Sequence, residues 1–164
     1  MEEKPMVNKD MPVGIMRSLR DIPPTHYSLK IDSFSFLVNK KIENYQSGVF
    51  EAGGYKWRLS LYPNGNSKRN VTDHISLYLE RADTQALPID SEAYVIFKLF
   101  VFDHIREKYL SMQGEKWFSA SEKAWGYADM LAVSDLNDAT KGFLKNDAVI
   151  VEAQITELLA SKDI

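Results

Sequence analysis

The chain has 164 residues, 45% of them hydrophobic, enough for one ordinary domain that buries roughly two thirds of its unfolded surface. Charged residues make up 26% with a formal net charge of −3. With the two signs interspersed, neither a disordered chain nor the basic stripe of a nucleic-acid binder is expected. No run approaches about 18 apolar residues, so no membrane-spanning helix is expected. The chain has no cysteine, which excludes disulfide scaffolds, thiolate zinc sites and cysteine nucleophiles and fits a reducing compartment. Met1–Met11 carries two early glutamates and no apolar segment, unlike a secretory signal, so a cytoplasmic location is expected, with the nucleus left open. The Asn70-Val71-Thr72 sequon would matter only in a secreted protein.

In chain order, residues 1–22 are mixed and Met-rich, and Pro23-Pro24 imposes an extended entry after them. They read as a poorly ordered arm, too short for the heptads of a coiled coil. From Thr25 the pattern has period two. Tyr27, Leu29 and Ile31 alternate with Ser28, Lys30 and Asp32, the mark of a half-buried strand. Gly53-Gly54 signals a turn, after which Tyr55, Trp57, Leu59 and Leu61 define the inward face of a second strand. Pro63-Asn64-Gly65-Asn66 ends that strand in another turn. Ile75, Leu77 and Leu79 then alternate with Ser76, Tyr78 and Glu80, which turns Tyr78 away from the core. Val95–Phe102 is almost continuously apolar, as expected of a central strand wet on neither face, and Ala148–Ile155 supplies the last strand.

Helix is scarce. Lys123–Leu131 suggests a single turn, and Ser134 or Asp135 a cap for a short helix through Ala139 that ends at Gly142. Six or more short strands separated by turn signals predict an all-β fold, an antiparallel sandwich with one or two short helices.

Several blocks resemble the MATH (meprin and TRAF-C homology) family. Tyr27–Phe34 is similar to its opening strand, and the run from Ser47 to Leu59, with Gly53-Gly54 and Trp57, to its most diagnostic motif. Tyr62–Asn66 is similar to its "yP.Gn" turn, His74–Glu80 to its "hlSlyL" strand, Trp125-Gly126-Tyr127 to its "WGf" segment and Gly142–Asp147 to its "Gyl.nD" block. These blocks stand in family order over residues 25 to about 156, within a domain placed at 23–158 and followed by a tail at 159–164. With no catalytic, zinc-finger or BTB segment in view, the chain resembles the plant MATH-only proteins often called TRAF-like.

The resemblance implies a sandwich of about eight antiparallel strands that binds short linear peptides of partner proteins. The peptide would add as a strand beside a shallow aromatic groove, main-chain hydrogen bonds giving affinity and side-chain pockets specificity. Carried over position by position, the groove would comprise Tyr78, Phe97, Leu99, Ala124, Trp125, Gly126 and Tyr127. Trp117 and Phe118 lie near a further family aromatic, but their spacing to Trp125 differs by one. Members that bind serine-containing peptides carry Asp before the "WGf" tryptophan, where this chain has Ala124. A methyl group accepts no hydrogen bond, so a groove of different consensus and a degenerate groove both remain open. An adaptor role, ubiquitin-linked or in trafficking in the manner of the family, is what the resemblance implies by analogy of fold.

Nothing in the sequence points to catalysis. His26, His74 and His104 are isolated, and no nucleophile elbow or phosphate-cradling loop is present. Asp135 and Asp138 suit a helix start and Asp147 a turn acceptor. A non-enzymatic module without metal or cofactor is expected. Self-association, for which no coiled coil is visible, and a carbohydrate- or lipid-binding sandwich are the alternatives.

Overall fold

A computed structural model of the chain describes residues 17–20, 26–82 and 92–161. The described elements run β1 (Arg17–Arg20), β2 (Tyr27–Ile31), α1 (Phe34–Asn39), β3 (Tyr45–Gln46), β4 (Phe50–Ala52), β5 (Tyr55–Tyr62), β6 (His74–Arg81), β7 (Glu92–Asp103), β8 (Lys108–Ser119), β9 (Ala124–Ala132), α2 (Val133–Leu136) and β10 (Val149–Ser161). They form two antiparallel sheets packed face to face. The first has the order β1-β8-β7-β10-β2; the second has β3-β5-β6-β9, with β4 beside β3 on the same edge of β5.

Period-two alternation builds the interior. Trp57, Leu59 and Leu61 of β5 and Ile75, Leu77 and Leu79 of β6 face Val95, Phe97, Leu99 and Val101 of β7 and are fully buried. Trp57 meets Phe118 edge to face at 5.2 Å and donates its indole N–H to the Ala52 carbonyl at 3.0 Å. The turn between β4 and β5 places Gly53 at φ 63° and Gly54 at φ 82°, left-handed conformations that glycine adopts without strain.

Several expectations are corrected. Lys123–Leu131 is not a helical turn: Ala124–Ala132 is a nine-residue strand on β6. The second helix is the four residues Val133–Leu136, with Ala132 at its N-cap, so Ser134 and Asp135 lie inside it and it ends before Ala139. The expected opening strand stops at Ile31. Ser33 turns left-handed at φ 55° and starts helix α1 at Phe34. Within the expected arm, Arg17–Arg20 pairs with Tyr109–Met112 of β8, while residues 1–16 and Pro23-Pro24 lie outside the described residues. Strand β10 runs through Ser161. The middle strand β7 is wetter than expected, with Lys98 and Phe102 half-buried.

Asp147 behaves as an acceptor, but over a long span. Its carboxylate takes the Ser35 backbone N–H at 3.0 Å and the Ser35 hydroxyl at 2.7 Å, tying α1 to the loop before β10. At the opposite side of that loop, burial pushes the Asp103 carboxyl up, but the Arg106 guanidinium at 2.8 Å and the N–H groups of Ile105 and Arg106 outweigh it. The net effect holds Asp103 below the usual carboxylate range.

Candidate functional site

Strand β9 ends the second sheet: among the described residues it pairs only with β6, so its far edge carries open backbone N–H and C=O groups. Its register on β6 sets Trp125 opposite Leu79, Gly126 opposite Tyr78 and Tyr127 opposite Leu77. Trp125 and Tyr127 therefore share the inward face with the buried leucines. Ala124, Gly126 and Ala128 fall on the outward face, a run of small residues at every second position.

That run forms the floor of a groove of about 500 Å³ on the outer face of the sheet. Tyr78 rises over Gly126, where an added Cβ would lie 2.6 Å from the Tyr78 Cα and 2.2 Å from the Leu77 carbonyl oxygen. Only a glycine lets β6 and β9 approach this closely. Tyr62 on β5 packs edge to face against Tyr78, with ring centroids 5.5 Å apart. Burial, reinforced by the neighbouring Tyr78, Glu80 and Glu43, pushes the Tyr62 hydroxyl above its ordinary pKa.

The polar groups of the groove have defined directions. Asn66 Oδ1 accepts the Lys68 N–H at 3.2 Å, which orients the amide so that Nδ2 donates to the Tyr78 hydroxyl at 2.9 Å. The Tyr78 proton is then left to donate outward. Glu80 is engaged by Arg58 at 3.4 Å and by the Gln46 amide at 3.2 Å. Arg69, in the single 3-10 turn Ser67–Arg69, and Asp129 complete the charged rim.

Of the residues expected to make the groove, Tyr78, Ala124, Trp125, Gly126 and Tyr127 line it. Phe97 and Leu99 do not. Both are fully buried between the sheets on β7, which belongs to the other sheet. Tyr127 is a core residue too, 6% exposed, its hydroxyl donating to the Gln113 carbonyl and raised well above the ordinary tyrosine pKa by burial. It borders the groove as part of its wall and has no free hydroxyl to offer. Trp125 packs partly against the core, its indole N–H without a partner among the described residues.

The structure also settles the register near Trp117. Phe118 is fully buried, and Trp117 lies on the outer face of the first sheet, away from the groove. The neighbour that reaches Trp125 is Lys116, whose ammonium sits 4.2 Å from the indole centroid and pairs with Glu122 at 2.7 Å. Ser60, Tyr62, Asn66, Arg69 and Ala128 also line the groove and were not anticipated. The signal for Ser60 and Tyr62 was present in the sequence: they share with Tyr78 the phase opposite Leu59, Leu61, Leu77 and Leu79.

Among the described residues, no group of three His, Cys, Asp or Glu side chains could hold a metal ion, and no helix is long and apolar enough to cross a membrane.

The sequence pattern of the MATH domain matches residues 26–155. Ubiquitin C-terminal hydrolase 12 of Arabidopsis thaliana is 35% identical over 136 residues, which is 82% of this chain and 12% of that protein. The MATH domain and coiled-coil domain-containing protein At3g58410 of the same plant is 35% identical over 128 residues, 78% of this chain and 37% of its own length. A third relative, At1g31390, carries the same domain description and is 35% identical over 138 residues, 82% of this chain and 48% of its own. The chain thus spans between 12% and 48% of the length of these relatives.

Proposed function

The chain belongs to the MATH domain family, whose domain is a non-catalytic protein-interaction module, and we propose that it binds short linear peptides of partner proteins by strand addition to β9. The observation that carries this reading is the coincidence of an open strand edge with a groove beside it. The edge of β9 offers the main-chain ladder, and the Ala124-Gly126-Ala128 floor leaves room for side chains under Tyr78 and Tyr62. Ala124 offers no acceptor, whereas the Tyr78 hydroxyl and Arg69 offer donors. The reading therefore favours a peptide side chain that accepts hydrogen bonds over the serine-anchored recognition of other members. In a cell the module would act as an adaptor, and the relation to two ubiquitin C-terminal hydrolases makes a ubiquitin-linked partner the first to seek.

The test pans a proteome-derived peptide library on the wild-type chain with Tyr78→Ala as counter-screen. A shared motif lost in the variant, at unchanged melting temperature, supports the reading. No enrichment, or enrichment indifferent to Tyr78, overturns it and leaves the open edge as a template for a second copy, to be read by sedimentation.

A further inference from the structure

On the sheet opposite the groove, one row of side chains stands out. Leu159 of β10 pairs with Tyr94 of β7, which in turn pairs with Trp117 of β8. The three lie side by side on the outer face, across three strands. Leu159 is 61% exposed and Trp117 43%, and the Tyr94 and Trp117 rings sit 5.2 Å apart. Scattered exposed hydrophobics need no explanation, but a contiguous apolar row on a sheet face marks an interaction surface.

The neighbouring rows give the charge. On one side Glu92 stands between Ser161 and Ser119; on the other, Glu157, Ile96 and Glu115 face one another. Rows on one face of a strand are about 7 Å apart, so Glu92 and Glu115 set a carboxylate on either side of the apolar row. The first basic residue on this face, Lys98, is one row further on, between Gln154 and Gln113.

We infer that this face docks a partner protein through a segment in which lysine or arginine flanks bulky apolar side chains. The apolar row supplies buried area with two rigid aromatics as anchors, and the carboxylates supply steering and orientation. The same charge argues against the other occupants. A second copy related by a two-fold axis would bring glutamate against glutamate, and an anionic lipid surface would be repelled. The site is independent of the β9 groove, from which the whole thickness of the sandwich separates it.

The experiment titrates the full 164-residue chain, labelled with nitrogen-15, with three synthetic peptides: alternating lysine and leucine, alternating glutamate and leucine, and alternating lysine and serine. The expected result is saturable shifts of the Trp117 indole N–H and of the Tyr94 and Leu159 amides with the lysine–leucine peptide alone. Affinity should fall about tenfold or more in Trp117→Ser/Leu159→Ser and in Glu92→Lys/Glu115→Lys at unchanged melting temperature, and stay level in Tyr78→Ala. Equal binding of the glutamate–leucine peptide, or shifts confined to β9, would overturn the proposal. So would concentration-dependent sedimentation of the free chain that Trp117→Ser abolishes, since the occupant would then be a second copy.

Discussion

The Tyr127 hydroxyl donates to the Gln113 carbonyl across the gap between the two sheets, and the ring around it is buried. Two different losses can therefore be separated at this position. Tyr127→Phe keeps the ring and strands the carbonyl, a cost of about 1–3 kcal/mol. Tyr127→Ala also opens a cavity and should cost about 3–5 kcal/mol. Urea unfolding of both variants checks the pair, and equal midpoints would show that the hydrogen bond carries the whole effect. Trp57→Ala belongs to the same class: full burial, the Phe118 contact and the Ala52 hydrogen bond predict a loss of about 3–5 kcal/mol. A wild-type melting temperature in that variant would contradict its place at the centre of the core. Trp57 was legible in the sequence because polar neighbours fixed its phase. Phe97 and Leu99 were harder to place, because Lys98 alone interrupts the apolar run from Val95 to Phe102 and a single polar residue marks the outward phase only weakly.

Strand β9 is the element on which the site depends, and its own composition concealed it. A strand announces itself by polar residues on its outward face, but here those positions hold Ala124, Gly126 and Ala128. Small residues at alternate places look neither amphipathic nor β-prone, so the segment reads as a helical turn. The same small residues create the groove, so the feature that makes the site also masks it. Lys116 was hidden for another reason: the spacing to Trp125 left Trp117 and Phe118 ambiguous, and only pairing with β7 shows which of them points inward. The closeness of β6 and β9 gives the test at this scale. In Gly126→Ala the new methyl would press on the Leu77 carbonyl and the Tyr78 backbone, neither of which can rotate away. The strands must separate, at a cost of about 1–3 kcal/mol, and peptide binding should fall by more than the melting temperature alone accounts for. Hydrogen exchange of the β6 and β9 amides would locate the damage, and unchanged protection there would show that the approach is looser than described.

Across the whole molecule the two sheets carry different burdens on their outer faces. One offers the groove, and the other buries a carboxyl group. Glu152 of β10 is 4% exposed, opposite Phe100, and burial raises its pKa, while the hydrogen bond with the buried Tyr109 hydroxyl works in the opposite direction. Burial first, and then Glu152, push Tyr109 up to about 12. The consequence for stability follows from the protons held in each state. Below the ordinary glutamate value of 4.5 the group is protonated in the folded and the unfolded chain, and nothing is lost. As pH rises above 4.5 the unfolded chain ionises first, and the folded state loses stability until its own raised pKa is passed. Glu152→Gln keeps a polar group for the Tyr109 hydroxyl and removes the charge. The variant should match the wild type near pH 4 and become the more stable of the two as pH rises towards 8, each 1 kcal/mol gained showing as about 2–4 °C in Tm. Melting curves of both proteins across that range decide it. A constant difference would mean that Glu152 titrates alike in both states, and a variant less stable at pH 8 would mean that the ionised carboxylate holds the first sheet together.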